Sequence, residues 1–254
     1  MEHIIRIKDL HKSFGPKKVL KGVNLNIVKG KTTVILGLSG GGKSTIIKHI
    51  VRLLTPDRGE VWVEDVDMAK ADEATVMRMR KKIGYLFQSG ALFDSMNVYE
   101  NVTFPLREHT KMSESEMREK VEERLRMVAL NPKDVLHLYP DELSGGMRKR
   151  VGLARATILD PEIILYDEPT SGLDPITSDL ITRLIRDMQE KLGVTSVLIS
   201  HDIKESFKAG DYFAMLYDGK IIEYGAKDVF RQTQNPYVKQ FLEGKSEGPI
   251  AVVR

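Results

Sequence analysis

The feature that most constrains the fold is a glycine-rich segment at residues 37–45, which reads Gly-Leu-Ser-Gly-Gly-Gly-Lys-Ser-Thr. It matches the pattern G-x-x-x-x-G-K-[ST], follows an apolar run at residues 34–36 and precedes a predicted helix over residues 44–54. A continuous apolar run is typical of a strand buried on both faces of a parallel sheet. The segment therefore predicts an α/β fold in which a strand delivers this loop to the start of a helix.

The composition of this loop is suited to binding phosphate groups of a nucleotide. Glycines let the backbone approach phosphate oxygens closely, and the helix N-terminus adds a favourable dipole. We expect Lys43 to contact the β- and γ-phosphates and Ser44 to coordinate Mg²⁺. The loop residues expected to bind the nucleotide are Gly37, Ser39, Gly40, Gly41, Gly42, Lys43, Ser44 and Thr45.

Two patterns of hydrophobicity predict two kinds of sheet. Residues 163–166 and 196–199 are continuous apolar runs, so we expect them to join the run before the loop in a mainly parallel core sheet. Residues 5–8, 23–28 and 60–63 alternate apolar and polar side chains, which is typical of short antiparallel strands. The fold class predicted is α/β, with a parallel core and an antiparallel β subdomain.

The middle of the chain, about residues 97–156, is rich in charged residues and has apolar residues at helical spacing. This pattern predicts an inserted helical lobe. Within it, Ser113 and Glu116 form a capping box before a helix over residues 113–128. We predict that the two sheets and the helical lobe belong to one domain, residues 1–242, which is followed by a short tail at residues 243–254.

After the lobe the α/β pattern returns. Residues 213–217 and 221–224 flank Asp218-Gly219, a strong two-residue turn pattern, and predict a β-hairpin.

Two adjacent carboxylates, Asp167 and Glu168, follow the apolar run that ends at Tyr166. Ligands of open α/β sheets bind at the carboxyl ends of the strands, and successive strand residues point in opposite directions. Alone, such a pair is more often part of a turn or a helix cap. Together with the phosphate-binding loop, it predicts that Asp167 holds Mg²⁺ and that Glu168 is the general base for an attacking water.

Composition excludes several classes of protein. The 39 lysines and arginines against 36 acidic residues give a net charge of +3, too small for a nucleic-acid footprint. The absence of cysteine excludes disulfides and thiolate metal sites. No apolar stretch approaches the roughly 20 residues of a spanning helix, and we find no cleavable secretion signal. We therefore expect a cytoplasmic chain, and we interpret the basic runs at residues 80–82 and 148–150 as solvated helix faces.

Further motifs narrow the family. Residues 143–147, Leu-Ser-Gly-Gly-Met, are similar to the signature sequence of ABC proteins. Other motifs appear in that family's order: Gln88 resembles the Q-loop, residues 171–174 the D-loop, and His201 the switch histidine, while Phe14 resembles the aromatic residue that stacks on adenine.

The ABC resemblance covers about residues 4–242 and implies an ATPase that works as a homodimer with ATP and Mg²⁺ between the two copies. It implies that the Lys43 loop of one copy faces the Ser144-Gly145-Gly146 segment of the other. His201 and Gln88 would act beside Glu168 in catalysis, and Gln88 would also help to hold the metal. Asp174 would communicate across the interface.

A closer resemblance is to the ATPases of Mla-type (Mce-associated) phospholipid transporters of bacterial envelopes. It is carried by residues 87–93, 96–98, 101, 105–110 and 174–177, and by Met147 in place of the usual glutamine. The run around Gln88 lines the groove that, in ABC proteins, receives a helix of the membrane subunit. We therefore predict that Leu92 and Phe93 form part of a docking groove for an integral-membrane permease, which would hold the chain on the inner face of the membrane.

The sequence departs from the family's pattern at two places. Gly41 stands where many relatives have a larger residue. The tail after Leu242 is short for the C-terminal extension that, in the Mla group, is suggested to hold the neighbouring subunit. An ABC transporter for another solute is one alternative. A soluble ABC protein acting on ribosomes or DNA is the other, disfavoured because such proteins resemble two fused domains or carry coiled-coil insertions.

Overall fold

The chain forms two units in the computed structural model, which describes residues 2–251. The first unit contains the residues up to Val76 and those from Val197 onward, and the second is Met77–Ser196. In chain order, the strands are β1 (His3–Phe14), β2 (Lys17–Val28), β3 (Thr32–Gly37), β4 (Arg58–Val63), β5 (Val66–Asp67), β6 (Ile83–Leu86), β7 (Ile163–Asp167), β8 (Thr195–Ile199), β9 (Tyr212–Tyr217) and β10 (Lys220–Ala226).

Ten α-helices and one 3₁₀ turn lie between and after these strands in the part of the chain described. The helices are α1 (Lys43–Ile50), α2 (Glu73–Lys81), α3 (Val98–His109), α4 (Glu114–Met127), α5 (Pro132–Val135), α6 (Gly145–Thr157), α7 (Pro175–Leu192), α8 (Ile203–Ala209), α9 (Lys227–Arg231) and α10 (Pro236–Glu243), with the 3₁₀ turn at Pro140–Glu142. No helix among residues 2–251 combines the length and the apolar character that crossing a membrane requires.

The first unit contains an antiparallel sheet in the order β2-β1-β4-β5. Its apolar side chains alternate into the core, where Ile5 and Ile7 on β1 are almost completely buried. The antiparallel strands predicted from residues 5–8, 23–28 and 60–63 are therefore confirmed. β1 and β2 are longer than expected, because bulges such as the one at Asp9, where φ is 46°, let the pairing continue past each irregularity.

The same unit holds a parallel pair, in which β3 runs beside β9 with Thr33 opposite Tyr212. All six residues of β3 are buried, as its continuous apolar run predicts. β9 continues into β10 as an antiparallel hairpin. Its turn residues Asp218 and Gly219 have φ values of 45° and 73°, the left-handed pair that a type I′ turn requires, so the predicted hairpin is confirmed.

The helix after the glycine-rich loop is shorter than predicted. We expected it over residues 44–54, whereas α1 ends at Ile50. Arg52 adopts a left-handed conformation with φ of 51°, and the amide of Leu53 donates back to the carbonyl of Lys48 at 2.8 Å. This hydrogen bond ends the helix. The sequence pattern predicts a longer helix because the residues that follow Ile50 are also largely apolar.

The second unit combines a parallel strand pair with helices α3 to α7. β6 and β7 pair in parallel with Ile83 opposite Ile163. Every residue of β7 is buried, as predicted from its apolar run. The capping box before α4 is confirmed, since Ser113 Oγ accepts from the amide of Glu116 and the Glu116 carboxylate accepts from the amide of Ser113.

Asn101 on α3 organises the loop that precedes this helix. Its side chain is completely buried, and its amide nitrogen donates to the carbonyls of Phe93, Met96 and Asn97 at 2.9–3.1 Å. Its amide oxygen accepts from the backbone amide of Phe93 at 2.8 Å and from Arg155 at 3.4 Å. One side chain thus satisfies four polar backbone groups of this loop.

The residues after α10 fold back onto that helix. The side chain of Gln240 donates to the carbonyls of Lys245 and Ile250 at 3.2 Å and accepts from the amide of Ile250 at 2.7 Å. Gly248 packs so closely that a Cβ there would lie 2.5 Å from Gln240. These contacts hold the backbone in place as far as Ile250, which is 5% exposed. The domain limits at residues 242 and 243 stay a prediction. Residues 252–254 lie outside the described part of the chain.

We predict that Asn101→Ala lowers the free energy of unfolding by about 2–4 kcal/mol, because it leaves several buried polar groups of the loop without partners. Urea denaturation followed by circular dichroism measures the change. Glu123→Ala, an exposed substitution on α4, is the control and should stay within about 0.5 kcal/mol of the parent. Equal stability of the two variants would contradict the role of Asn101.

Candidate functional site

The glycine-rich loop of the first unit closes around a buried lysine. Lys43 is 5% exposed, and its Nζ donates to the carbonyl oxygens of Gly37 and Leu38, each at 2.9 Å. Gly37, at the end of β3, has φ of 154°, and a Cβ there would lie 2.5 Å from the carbonyl oxygen of Leu216. Gly42 has φ of 98° and precedes the first residue of α1. Glycine is required at both positions, as the phosphate-binding motif predicts.

The first turn of α1 carries the hydroxyls of Ser44 and Thr45, both half-buried. This helix begins directly at the loop, so its N-terminal amides and its positive dipole end face the segment that the motif assigns to phosphates. The arrangement has the elements of an anion site: amide donors, one ammonium group and one hydroxyl able to act as a metal ligand.

Phe14 lies at the end of β1 in the same unit, with 47% of its surface exposed. The strand end is fixed by Asp57, whose carboxylate accepts from Lys12 Nζ at 2.8 Å and from the amide of Ser13 at 2.6 Å. The hydrogen bond from Lys12 is the main cause of a lowered pKa for Asp57, so this contact is made by a carboxylate anion. An exposed aromatic ring on a fixed strand end suits stacking against a base.

In the second unit, β7 ends at Asp167, which is 6% exposed. Its Oδ2 accepts a hydrogen bond at 3.3 Å from the hydroxyl of Tyr85. Burial raises the pKa of Tyr85, which keeps this phenol a proton donor. No group of three or more histidine, cysteine, aspartate or glutamate side chains within residues 2–251 forms a metal site by itself. The role of Asp167 as a ligand of Mg²⁺ stays a prediction.

Glu168, the next residue, leaves the strand in a left-handed conformation with φ of 48°. Its carboxylate Oε2 accepts from Gln88 Nε2 at 3.4 Å, and the same amide nitrogen lies 3.4 Å from Ser171 Oγ. The structure thus brings together two of the predicted catalytic residues. A non-glycine residue with positive φ is uncommon, and such strain is often found at functional positions.

The segment resembling the ABC signature begins helix α6. Ser144 is the N-cap, and its hydroxyl accepts from the amide of Met147 at 3.2 Å. Ser144 and Gly145 are exposed, whereas Gly146 is buried against α7, and a Cβ there would lie 2.5 Å from Thr177. The exposed N-terminus of this helix can receive an anion, and the second glycine allows α6 to approach α7 closely.

Asp174 caps helix α7 and is exposed. Its carboxylate accepts from the hydroxyl of Thr177 at 2.6 Å and from the amides of Ile176 and Thr177 at 3.0 Å. These bonds, with the Thr177 hydroxyl first, lower the pKa of Asp174. Within one subunit Asp174 is therefore a helix cap, and its predicted role between subunits stays a prediction.

His201 follows β8 in the first unit, as its resemblance to the switch histidine requires, and it is exposed. The next residue, Asp202, caps α8 by accepting from the amide of Glu205 at 3.0 Å. The imidazole is therefore carried on a short connection between a buried strand and a capped helix.

One interpretation made from the sequence is wrong in part. The sequence pattern predicts a solvated helix face for the basic run at residues 148–150, but Lys149 is only 5% exposed. Its Nζ donates to the backbone carbonyls of Glu168 and Ser171. Helical spacing could have predicted the burial of Lys149. The buried residues Gly146 and Leu153 lie three positions before it and four after it, on the same face of α6.

Comparisons with known proteins agree with this geometry. A family model described as "ABC transporter" matches residues 20–171. The chain is 42% identical over 248 residues to the probable ribonucleotide transport ATP-binding protein mkl of Mycobacterium leprae, covering 98% of this chain and 71% of that protein. It is 40% identical over 249 residues to the intermembrane phospholipid transport system ATP-binding protein MlaF of Haemophilus influenzae, covering 98% and 94%.

Among solved structures, the chain is similar to the dimeric ATP-binding cassette MJ0796 in a post-hydrolysis state bound to ADP and Pi. The TM-score is 0.81 at 35% identity, and the match covers 88% of this chain and 98% of that one. The predicted α/β fold with a parallel sheet and an antiparallel sheet is confirmed by this likeness.

We predict that Lys43→Ala weakens ATP binding at least about 100-fold, since a hydrogen bond to a charged group contributes about 1.5–3 kcal/mol and Lys43 would make more than one. Isothermal titration calorimetry of the purified chain measures the affinity. Lys48→Ala, on the same helix α1, is the matched control and should bind ATP as the parent does. Unchanged affinity of Lys43→Ala would refute this assignment.

Proposed function

Because this chain belongs to the ABC transporter family and is an ATP-hydrolysing subunit of that family, we propose that it powers phospholipid transport across a bacterial cell envelope. The observation that carries the proposal is the match to MlaF, which extends over nearly the whole of both chains. The match to mkl leaves 29% of that protein without a counterpart, since it covers 71%.

In the proposed hydrolysis, Lys43 and the loop amides bind the β- and γ-phosphates of ATP, and Phe14 stacks on the adenine. A water molecule attacks the γ-phosphorus, Glu168 accepts its proton, and the bond to ADP breaks to leave ADP and inorganic phosphate. Gln88, which donates to the Glu168 carboxylate, and the exposed His201 orient that water. The strained backbone of Glu168 supports a catalytic assignment for this residue.

Mg²⁺ is the proposed metal, and it would neutralise charge on the β- and γ-phosphates. The candidate ligands are the Ser44 hydroxyl, the Asp167 carboxylate and the Gln88 side-chain oxygen. All are oxygen donors, which is the ligand type that Mg²⁺ prefers.

We further propose that the working form is a homodimer, supported by the dimeric state of the MJ0796 cassette. The exposed Ser144 and Gly145 at the N-terminus of α6 would bind the γ-phosphate held by the Lys43 loop of the other copy. Asp174 would lie at the same interface. Neither copy would then hold a complete site alone.

An apolar groove in the second unit is the proposed docking site for a helix of an integral-membrane subunit, which would place the chain on the inner face of the membrane. The groove has a volume of about 440 Å³ and includes the rings of Phe87, Phe93 and Phe104. Phe93 is 43% exposed, and its ring packs against Phe104 with centroids 5.1 Å apart. Leu92 is half-buried and lies outside the lining, so of these two residues Phe93 is the one proposed to contact the docked helix.

The charges of the groove specify the helix that it would accept. Among the described residues, the charged or ionisable groups lining it, apart from the Tyr85 phenol, are the basic side chains of Arg80, Lys81, His109 and Arg155. Arg155 lies over the Phe93 ring at 5.4 Å and donates to the carbonyl of Ala91 at 2.7 Å, which holds the groove wall in place. The proposed occupant is therefore an amphipathic helix with bulky apolar residues and at least one acidic side chain.

A second candidate function is transport of another solute. The name of mkl, probable ribonucleotide transport ATP-binding protein, favours a ribonucleotide as that solute. The ATPase chemistry would be the same in both cases, so only the membrane partner and the transported molecule distinguish them.

We predict that Glu168→Gln binds ATP but hydrolyses it at least about 100-fold more slowly, the scale expected for loss of a general base, and accumulates as an ATP-bound dimer. Single-turnover hydrolysis and size-exclusion chromatography with ATP measure the two effects. Glu162→Gln, just before the same strand, is the matched control and should keep the parental rate. Parental turnover in Glu168→Gln would mean that another group activates the water.

Affinity purification of the chain from its native membranes tests the transport proposal. Mass spectrometry should find an integral-membrane subunit together with enriched phospholipids, and ATPase of the detergent-solubilised complex should rise with added phospholipid. Stimulation by a non-adenine ribonucleotide, with no response to phospholipid, would instead establish the second candidate.

The same purification tests the groove. Phe93→Glu, which places a carboxylate among the apolar lining, should lose the membrane subunit while keeping ATP affinity and melting temperature. Val229→Glu is the matched control, because Val229 is 67% exposed on the other unit, and it should retain the partner. Retention of the partner by both variants would refute the docking site.

A further inference from the structure

Helix α6 carries a buried ammonium group aimed at the segment that follows β7. Lys149 Nζ donates to the carbonyl oxygen of Ser171 at 2.5 Å and lies 3.4 Å from the carbonyl oxygen of Glu168. Only 5% of the residue is exposed. The helix that begins with Ser144 is thereby bonded directly to the backbone of the proposed general base.

The charge of Lys149 is balanced by peptide dipoles. Within residues 2–251 it makes no ion pair, and its partners are the two carbonyl groups. Burial lowers the pKa of Lys149, and the nearby charge of Glu168 acts in the opposite direction. A buried charge is costly, and apolar side chains of similar volume often replace buried ionic groups without loss of stability. Packing alone therefore gives no reason for a lysine here.

The segment that Lys149 binds has an unfavourable backbone. Glu168 has a φ of 48°, which is strained for a residue with a side chain. The amide of Ser171 donates to the carbonyl of Glu168 at 3.1 Å, so the segment turns back on itself, and both carbonyls bound by Lys149 belong to this turn. A left-handed glutamate persists only where surrounding contacts hold it.

We propose that Lys149 is a positioning residue for ATP hydrolysis: by binding the carbonyls of Glu168 and Ser171 it keeps Glu168 in its left-handed conformation and its carboxylate beside Gln88. The inference rests on the proposed role of Glu168 as general base.

Steady-state ATPase of the chain, measured against ATP concentration and pH, tests the proposal with two variants. Lys149→Met keeps an unbranched side chain and removes the charge, and Lys149→Arg keeps the charge. Arg124→Met is the matched control, since Arg124 is a cation of the same unit, 4% exposed, that pairs with Asp160 away from Glu168.

For Lys149→Met we expect kcat to fall about 10- to 100-fold with KM for ATP within about two-fold, because displacement of a catalytic group by about 1 Å is enough for such a loss. Lys149→Arg should recover most of kcat. The parent should lose activity at alkaline pH as Lys149 gives up its proton, at a lower pH than a solvated lysine would. Lys149→Arg should move that decline to higher pH, and Lys149→Met should lack it.

Parental kcat in Lys149→Met, or an unchanged alkaline decline in both variants, would overturn the proposal. Equal losses of kcat in Lys149→Met and Arg124→Met with the same pH profile would reduce Lys149 to a structural residue. If Lys149→Met does not fold, Lys149→Gln takes its place with the same expected pH profile. The Glu168→Gln rate is a separate result: if it equals the parental rate, the assignment of the general base fails, whatever Lys149 does.

Discussion

Buried lysines bound by backbone carbonyls organise the chemically important loops of both units. In the first unit Lys43 draws the carbonyls of Gly37 and Leu38 inward, and in the second unit Lys149 does the same for Glu168 and Ser171. A peptide carbonyl is an obligatory acceptor, and an ammonium group can satisfy several at once. The shape of each loop thus depends on one positive charge held out of water.

Such a design has an energetic logic. In the second loop Glu168 has a left-handed backbone that is strained for a residue other than glycine, and Lys149 supplies compensating contacts. In the first loop the residues with positive φ are Gly37, Gly40 and Gly42, and glycine adopts this conformation without such strain. The ammonium of Lys43 can exchange carbonyl partners for phosphate oxygens, because both are acceptors of charge-assisted hydrogen bonds. Lys149 is enclosed by protein and keeps the same carbonyl partners. One lysine is therefore suited to binding a ligand, and the other to holding a geometry.

The sequence predicted those parts of the fold that local chemistry determines. The Asp218-Gly219 hairpin and the Ser113 capping box follow from preferences of a few adjacent residues, and the buried strands follow from continuous apolar runs. The sequence pattern does not predict the end of α1, because that end depends on the left-handed conformation of Arg52. It does not predict the burial of Lys149 either, because charged residues are usually exposed and its position on the buried face of α6 was given less weight. The contact between Gln88 and Glu168 joins residues 80 positions apart. Local sequence patterns cannot predict such a contact, and only the resemblance to the ABC family indicated that these two residues act together.

The backbone contacts of Gln240 determine how freely the end of this chain can change over evolutionary time. Since one carboxamide binds the main chain of Lys245 and Ile250, side chains at residues 245–247 are not needed for the contact and can drift in sequence. Gly248 cannot, because any Cβ would meet Gln240. We therefore expect lineages to keep a glutamine and a glycine eight positions apart at this end of the chain while residues 245–247 diverge.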